Sequence, residues 1–327
     1  MNQGLFQQSQ WDQTLEAFVR QRATDWLAED LGFECDWTSV GLVPADSRSV
    51  AAVVVRSEGI VSGLDAGKIV AEVVDTFITW ESCSRDGDRA AAGSVIAKMS
   101  GPTRSILTAE RTILNILGRL CGVATATRLL VDCLQDSACQ IFDTRKTIPG
   151  WRLLDKYAVR SGGGWNHRMG LYDAILIKDN HLLALQQYGI GPAEAVCRAK
   201  SMVNRCFPVD RAEAMVIEIE IDRIDSLSAV LDARPDIVLL DNMGVRELEQ
   251  AVGIRNRIDP SVVLEASGGV TLENVASLAA TGIDRISTGW PTHSSPWLDV
   301  ALDWLYARRA KSEERRAKRE ERRAKSE

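Results

Sequence analysis

Six short β-branched or aliphatic runs alternate with helix-forming segments across the second half of the chain, and nearly every run ends in polar or glycine-rich residues. The runs are Gln140–Phe142, Ala174–Ile177, Met215–Ile221, Ile237–Leu240, Val262–Leu264 and Arg285–Ser287. Most are separated by segments with helical spacing: Leu153–Arg160, Pro192–Val203, Ser226–Ala233, Val245–Arg255 and Leu272–Ala280. Such alternation means βαβ units and a parallel sheet. Six strands in so short a span, none followed by G-x-G-x-x-G, favour a barrel over a doubly wound sheet. The run ends are Asp143-Thr144-Arg145-Lys146, Lys178-Asp179-Asn180-His181, Glu218 and Glu220, Asp241-Asn242, Glu265-Ala266-Ser267-Gly268-Gly269 and Thr288-Gly289. An α/β barrel builds its active site from C-terminal strand ends, so these residues are expected at one mouth.

The first hundred residues mix signals. Gln13–Leu31 has helical apolar spacing, Ala51–Arg56 and Ser94–Met99 read as strands, and Lys68–Ile78 as a helix between them. This is an α+β unit without a catalytic-looking cluster. A long helical stretch follows from Ile106 to about Leu134. The other end repeats RRAKSEE, RRAKREE and RRAKSE with alanine as the only apolar residue in each repeat, too little for a coiled-coil seam. Residues 308–327 are therefore expected to be a charged, solvated helix or disordered.

Charge narrows the function. That tail holds ten basic and five acidic residues, so of 39 and 45 in the whole chain, 29 and 40 remain in a body of net charge −11. An acidic body argues against a nucleic-acid surface. Yet seven basic residues (Arg145, Lys146, Arg152, Lys156, Arg160, Arg168 and Lys178) and only four acidic ones lie between Asp143 and Asn180. A local basic concentration at strand ends points to a multiply anionic small substrate. Taken singly, Arg152, Lys156 and Arg160 read as the solvated face of a helix. No stretch reaches the ~18 uncharged apolar residues of a membrane span, the best candidate being interrupted by Arg119 and Arg128. The first dozen residues lack a secretory signal pattern, and seven cysteines without a C-x-x-C pair fit reduced thiols in a cytoplasm.

Glu220 and Asp241 each stand at a strand end. Carboxylates facing bound phosphates usually mean Mg²⁺, although Glu220 could instead pair with Lys146 or Lys178. Gly268-Gly269 and Gly289 follow the last two strands, where barrels commonly bind phosphate. His167, His181 and His293 flank these elements, and His181 could equally cap a helix. No Ser-His-Asp, Cys-His or zinc-site arrangement is readable, which disfavours a nucleophilic hydrolase.

The stretch DTRKTIPGWRLLDKYAVRSGGGWNHRMGLYDAILIKDNH (143–181) resembles the signature region of quinolinate phosphoribosyltransferases, also called nicotinate-nucleotide pyrophosphorylases (carboxylating). The likeness extends through LAEDLG (27–32), SEGIVSGL (57–64), ERTILNILGRLCGVATATR (110–128), IEIEID (217–222), IVLLDNM (237–243), LEASGGV (264–270) and RISTGWPTHSSPWLD (285–299). Only the charged tail falls outside it. The resemblance implies an α/β protein with an N-terminal α/β sandwich domain (1–112) and an incomplete parallel α/β barrel of the type II phosphoribosyltransferase kind (113–296). A C-terminal helix (297–307) would pack back on the N-terminal domain. It implies a pentosyltransferase that joins quinolinate to 5-phosphoribosyl 1-pyrophosphate with Mg²⁺, giving nicotinate mononucleotide, pyrophosphate and CO₂ in de novo NAD biosynthesis. It also implies a homodimer or higher even oligomer. Carried over motif by motif, Arg111, Arg145, His167, Arg168 and Lys178 would bind the carboxylates of quinolinate, with Arg111 reaching in from a partner subunit. Lys146, Glu220 and Asp241 would be catalytic, holding the ribose and pyrophosphate, with Glu220 and Asp241 on the metal. Thr144, Ser267, Gly268, Gly269, Gly289 and His293 would complete the substrate site.

The chain departs from the family pattern at Glu34-Cys35, at Cys121, at Trp165 and at Trp290-Pro291, and the two tryptophans are expected to add bulk beside the mouth. A related paralogue of molybdate-transport operons, with a different acceptor, is the nearest alternative; the intact run Lys178-Asp179-Asn180-His181 argues against it. An added role for the basic tail in binding RNA or a protein partner belongs to a different class again.

Overall fold

The computed structural model describes residues 5–135 and 137–305. The expectations for 308–327 lie outside the described residues. The described residues divide into two compact units, 11–125 with 296–305, and 5–10 with 126–135 and 137–295. The boundary expected between 112 and 113 and the division between the two units at 125 and 126 both lie within one continuous helix, Thr103–Cys133.

In the first unit the elements are α1 (Gln13–Leu31), α2 (Trp37–Leu42), β1 (Arg48–Val55), β2 (Gly59–Ile60), α3 (Leu64–Val74), β3 (Thr79–Ser82), β4 (Arg89–Ala90), β5 (Val95–Pro102) and α4 (Thr103–Cys133). α1 starts where Asp12 accepts from the Leu15 amide and stops at Gly32, whose φ of 57° few other residues adopt. It buries Leu15, Val19, Ala23 and Leu27, one side chain per turn. α4 is long and apolar enough to cross a membrane, but most of its apolar stretch is buried as a core helix. Close approach is built in at Gly122, where a Cβ would fall 2.3 Å from the Pro296 carbonyl oxygen.

The helix expected over 297–307 is not formed at its centre. Val300–Trp304 is a strand, aligned antiparallel with β1 from Ala51 opposite Trp304 to Val55 opposite Val300. The helix implied by the resemblance yields to the open edge of the β1 sheet, whose amides and carbonyls need partners.

In the second unit the elements are β6 (Gln140–Phe142), α5 (Arg152–Ser161), β7 (Ala174–Ile177), α6 (Asp179–Gln186), α7 (Pro192–Cys206), α8 (Val209–Glu213), β8 (Val216–Ile221), α9 (Leu227–Asp232), β9 (Ile237–Asp241), α10 (Val245–Ile258), β10 (Val263–Ser267), α11 (Val275–Ala279), β11 (Arg285–Ser287) and α12 (Trp290–His293). The six strands run parallel in the order β6-β11-β10-β9-β8-β7. That is the cyclic order of a barrel with the β6–β7 seam unpaired, so the barrel is incomplete. The free edge of β6 is met by Trp165, whose amide donates to Ile141 O and whose carbonyl accepts from the Asp143 amide.

Strand period fixes what faces inward. Ile217, Ile219, Ile221, Val238, Leu240, Leu264, Ala266 and Ile286 point out into one core shared with the surrounding helices. The alternate residues form tiers inside the barrel. Ala174, Val216, Ile237 and Val263, each the first residue of its strand, make an apolar bottom tier with Phe6 and Phe142. Two residues on stand Leu176, Glu218, Leu239 and Glu265; a further two on stand Lys178, Glu220, Asp241 and Ser267.

Candidate active site

A cleft of about 710 Å³ opens over the C-terminal strand ends of the barrel unit. Its lining takes in Thr144, Arg145, Lys146, His167, Arg168, Lys178, Glu220, Asp241, Ser267, Gly268 and Gly269, eleven of the fourteen residues expected from sequence. Gly289 and His293 border it: a Cβ on Gly289 would lie 2.8 Å from the His293 ring, 2.9 Å from the Lys146 side chain and 3.1 Å from Thr144 Oγ1. Arg111 is exposed on α4, in the other unit, and is not among the lining residues.

One wall is cationic. Arg168 is buried, with Nη1 donating to Ala174 O at 3.2 Å. Burial lowers its pKa, and the neighbouring Arg145 adds to the effect. The Arg145 Nε is itself buried without a hydrogen-bond partner. Two guanidinium groups that repel each other, one buried and one half-buried, form a site that an anion relieves. The loop carrying them is braced from α5. Arg152 Nη1 donates to Met169 O, and the Lys156 ammonium donates to the carboxylate of Asp143 and to His167 O. Arg160 donates to Gly164 O and lies 4.3 Å over the Trp165 ring. Arg152, Lys156 and Arg160 are thus not a solvated helix face, and Lys156 is wholly buried. Helical spacing places these residues on α5, but it cannot say that the 163–169 loop lies across them.

The opposite wall carries oxygen. Lys178 Nζ lies 2.5 Å from Glu220 Oε2, the alternative pairing left open for Glu220. Asp241 Oδ2 accepts from the Asn242 side chain at 2.8 Å. Asn242 adopts φ of 54°, and a Cβ on Gly268 would fall 2.1 Å from its Oδ1. Position 268, at φ of 91°, accepts only glycine, because Asn242 packs where a side chain would stand. His181 lies outside the cleft lining: its Nδ1 accepts the Lys178 amide at 2.9 Å, the capping alternative. Trp165 and Trp290 do not line the cleft either, so neither narrows it; Trp290 packs against the outer core.

Beneath the cleft lies a buried charged tier in which Glu218 and Glu265, expected from sequence among the strand ends at the mouth, stand with His167. His167 Nε2 is 3.1 Å from Glu218 Oε2 and 3.5 Å from Glu265 Oε1, and Arg285 Nη1 is 3.8 Å from Glu265 Oε2. Glu265 also lines the cleft. Sequence reading assigns neither carboxylate a role; counting two residues back from Glu220 and Ser267 places both one tier below the mouth. Burial raises Glu218 above the ordinary carboxylate range; burial acts the same way on Glu265, but His167 and Arg285 outweigh it and bring Glu265 below that range. The carboxylates also outweigh burial at the imidazole and favour its charged form up to about 10. Against this, His167 Nδ1 accepts the Arg168 amide at 2.8 Å, which a doubly protonated ring cannot do. The amide bond is directional and short, so we take the ring as the Nε2–H tautomer directed at Glu218. The ligand atoms of His167, Glu218 and Glu265 would suit a metal by proximity alone. Arg285 already supplies the positive charge there.

The fold and cleft are those of an incomplete α/β barrel with an arginine-lined wall facing an acidic, glycine-rich one across its mouth, an arrangement suited to a multiply anionic small molecule. Residues 36–134 match the N-terminal domain and residues 123–303 the C-terminal domain of quinolinate phosphoribosyl transferase. The nicotinate-nucleotide pyrophosphorylase [carboxylating] of Mycobacterium leprae is 39% identical over 279 residues, 85% of this chain and 94% of that protein. A probable enzyme of the same name from Bacillus subtilis is 39% identical over 279 residues, 85% and 90% of the two chains. The solved nicotinate-nucleotide pyrophosphorylase of Francisella tularensis superposes with a TM-score of 0.82 at 36% identity, covering 91% of this chain and 99% of that one. The chain belongs to the quinolinate phosphoribosyltransferase family.

Proposed function

We propose that this protein transfers the phosphoribosyl group of 5-phosphoribosyl 1-pyrophosphate to the nitrogen of quinolinate and releases pyrophosphate and CO₂, forming nicotinate mononucleotide for NAD biosynthesis. The observation that carries the reading is the pairing, in one cleft, of Arg145 and Arg168 with the Glu220, Asp241 and Gly268-Gly269 wall. The first is suited to a dicarboxylate, the second to a phosphorylated sugar.

Each residue's work follows from charge. Arg145, Arg168 and Lys178, with His167 beside them, hold the acceptor's carboxylates and orient its ring nitrogen toward the sugar. That nitrogen is already a nucleophile, so no general base is needed. Breaking the C1–O bond builds positive charge on the ribose and negative charge on pyrophosphate; Glu220 and Asp241 favour the first, Lys146 the second. After nitrogen is alkylated, its positive charge stabilises the electron pair left in the ring plane on the adjacent carbon as CO₂ departs, and a proton from solvent completes the C–H bond there. The residues fit Mg²⁺: Glu220 and Asp241 are hard oxygen donors on the wall opposite the guanidinium groups, and Asp241 is free of any lysine partner among the described ion pairs. Bound there with substrate phosphates, the ion would supply neutralisation of the leaving group.

We also read the enzyme as a cytoplasmic homodimer or higher even oligomer, with Arg111 completing the partner's acceptor site. Exposure of Arg111 on α4 supports that placement. The test of the activity is mass-spectrometric identification of nicotinate mononucleotide after incubation with both substrates and Mg²⁺. Absence of that product would reject the reading.

A further inference from the structure

Residues 5–10 precede the rest of their unit by more than a hundred positions and fall outside both matched family domains, yet they belong to the barrel unit. Phe6 is 5% exposed and sits in the bottom tier against the first residues of β7, β8, β9 and β10. Its ring stacks on His167 with centroids 4.4 Å apart and planes at 26°. The Arg285 guanidinium lies 5.6 Å from the Phe6 centroid. Two residues further on, the Gln8 side chain bridges the backbone of Asn166: Nε2 donates to Asn166 O at 3.0 Å and Oε1 accepts from Asn166 N at 2.8 Å. The Ser9 amide donates to Asn166 Oδ1 at 2.7 Å. Asn166 immediately precedes His167 and Arg168.

We infer that segment 5–10 is a working part of the acceptor site, with Phe6 as the positioning residue that fixes the face of the His167 ring and Gln8 as the clamp that fixes the backbone behind it. The inference rests on the reading of the Arg168 side of the cleft as the acceptor wall. The His167 edge is held by the Arg168 amide and Glu218. Those contacts constrain rotation in the ring plane but leave tilt out of it free, and Phe6 supplies the surface that stops the tilt. Nothing from segment 5–10 lines the cleft, so it touches no substrate. Its effect falls first on the wall formed by His167 and Arg168, because Phe6 stacks on His167 itself and Gln8 holds Asn166, whereas Phe6 meets the strands that carry Glu220, Asp241 and Gly268 only at their first residues, four or five positions earlier. Displacement of a binding group by a fraction of an ångström is enough to cost an order of magnitude in productive binding.

The test uses the full-length enzyme and three variants, Phe6→Ala, Phe6→Leu and Gln8→Ala, with KM measured separately for quinolinate and 5-phosphoribosyl 1-pyrophosphate and with thermal melting of each variant. Turnover by the parent enzyme must be seen first; its absence defeats the functional reading and not this inference. With the parent active, the expected result is a rise of about tenfold in the quinolinate KM for Phe6→Ala and Gln8→Ala, with the other KM within about twofold. Phe6→Leu, which refills the bottom tier without an aromatic face, should recover melting temperature but not the quinolinate KM. Equal movement of both KM values, or recovery of the quinolinate KM by Phe6→Leu, would make Phe6 a structural plug. An unchanged quinolinate KM in the folded Gln8→Ala enzyme would overturn the clamp. Should Phe6→Ala fail to fold, Gln8→Ala and Phe6→Leu still decide the matter, since Gln8 lies outside the apolar core.

Discussion

The ammonium of Lys156 donates to the carboxylate of Asp143 with both side chains entirely out of water. Asp143 also accepts from Asn166 Nδ2 and the His167 amide, each at 2.8 Å, so the pair anchors the start of the cationic wall. Burial pushes the carboxyl up and the ammonium down from their ordinary values, so each depends on the other to stay charged.

Lys156→Met should therefore destabilise the fold by about 3–5 kcal/mol, since it strands a buried carboxylate. Chemical denaturation at neutral pH measures this. The loss should shrink as pH falls and Asp143 takes up a proton. A loss under about 1 kcal/mol would mean that the Asp143 amide partners suffice.

Removing one arm of the acceptor clamp should cost more in catalysis than in stability. Arg145→Ala or Arg168→Ala is expected to cut kcat/KM by at least ~100-fold through loss of a charge-assisted contact of about 2–3 kcal/mol. Steady-state kinetics with quinolinate varied checks it, and near-normal values in both variants would place the acceptor elsewhere.

On the opposite wall, Asp241→Asn should weaken Mg²⁺-dependent binding of 5-phosphoribosyl 1-pyrophosphate and leave quinolinate binding nearly intact. Calorimetry with each ligand separates the two. Equal loss of both would show that Asp241 holds the barrel together.

Reagent access should divide the thiols. Burial pushes Cys121 and Cys139 up to about 12, so both stay protonated far above neutral pH. Cys83, Cys197 and Cys206 are exposed. Iodoacetamide at about pH 8 should label those three and spare Cys121 and Cys139 in the folded enzyme. Peptide mapping reads the result, and early labelling of Cys121 would contradict its buried exchange of hydrogen bonds with Ser62.

If Arg111 serves the partner's site, inactive Arg111→Ala and Lys146→Ala dimers should recover activity when subunits exchange. Random assembly puts one intact site in about half of the dimers, restoring roughly a quarter of full activity. No recovery in mixed dimers confirmed by native mass spectrometry would remove Arg111 from that role.

The barrel was legible because strand period and strand ends are local signals. Gln140–Phe142, Ala174–Ile177 and Arg285–Ser287 are strands with the expected bounds. Most of the cleft followed, since residues such as Arg145, Lys178, Asp241 and Ser267 sit at those ends. Contacts distant in sequence were not legible. Lys156 has the spacing of a surface residue until the 163–169 loop covers it, and Val300–Trp304 becomes a strand only because β1 offers an edge. Phe6 follows a lone Leu5 and precedes polar residues, with no period to mark it, and its place is set by the tier it plugs.

The most direct measurement follows quinolinate labelled in the carboxyl group next to the ring nitrogen, with 5-phosphoribosyl 1-pyrophosphate and Mg²⁺, counting labelled CO₂, pyrophosphate and mononucleotide together, with nicotinate as the parallel acceptor. The three products should form in equal amounts from quinolinate and none from nicotinate. Turnover of nicotinate, or mononucleotide formed without release of the label, would contradict the assignment of the cleft.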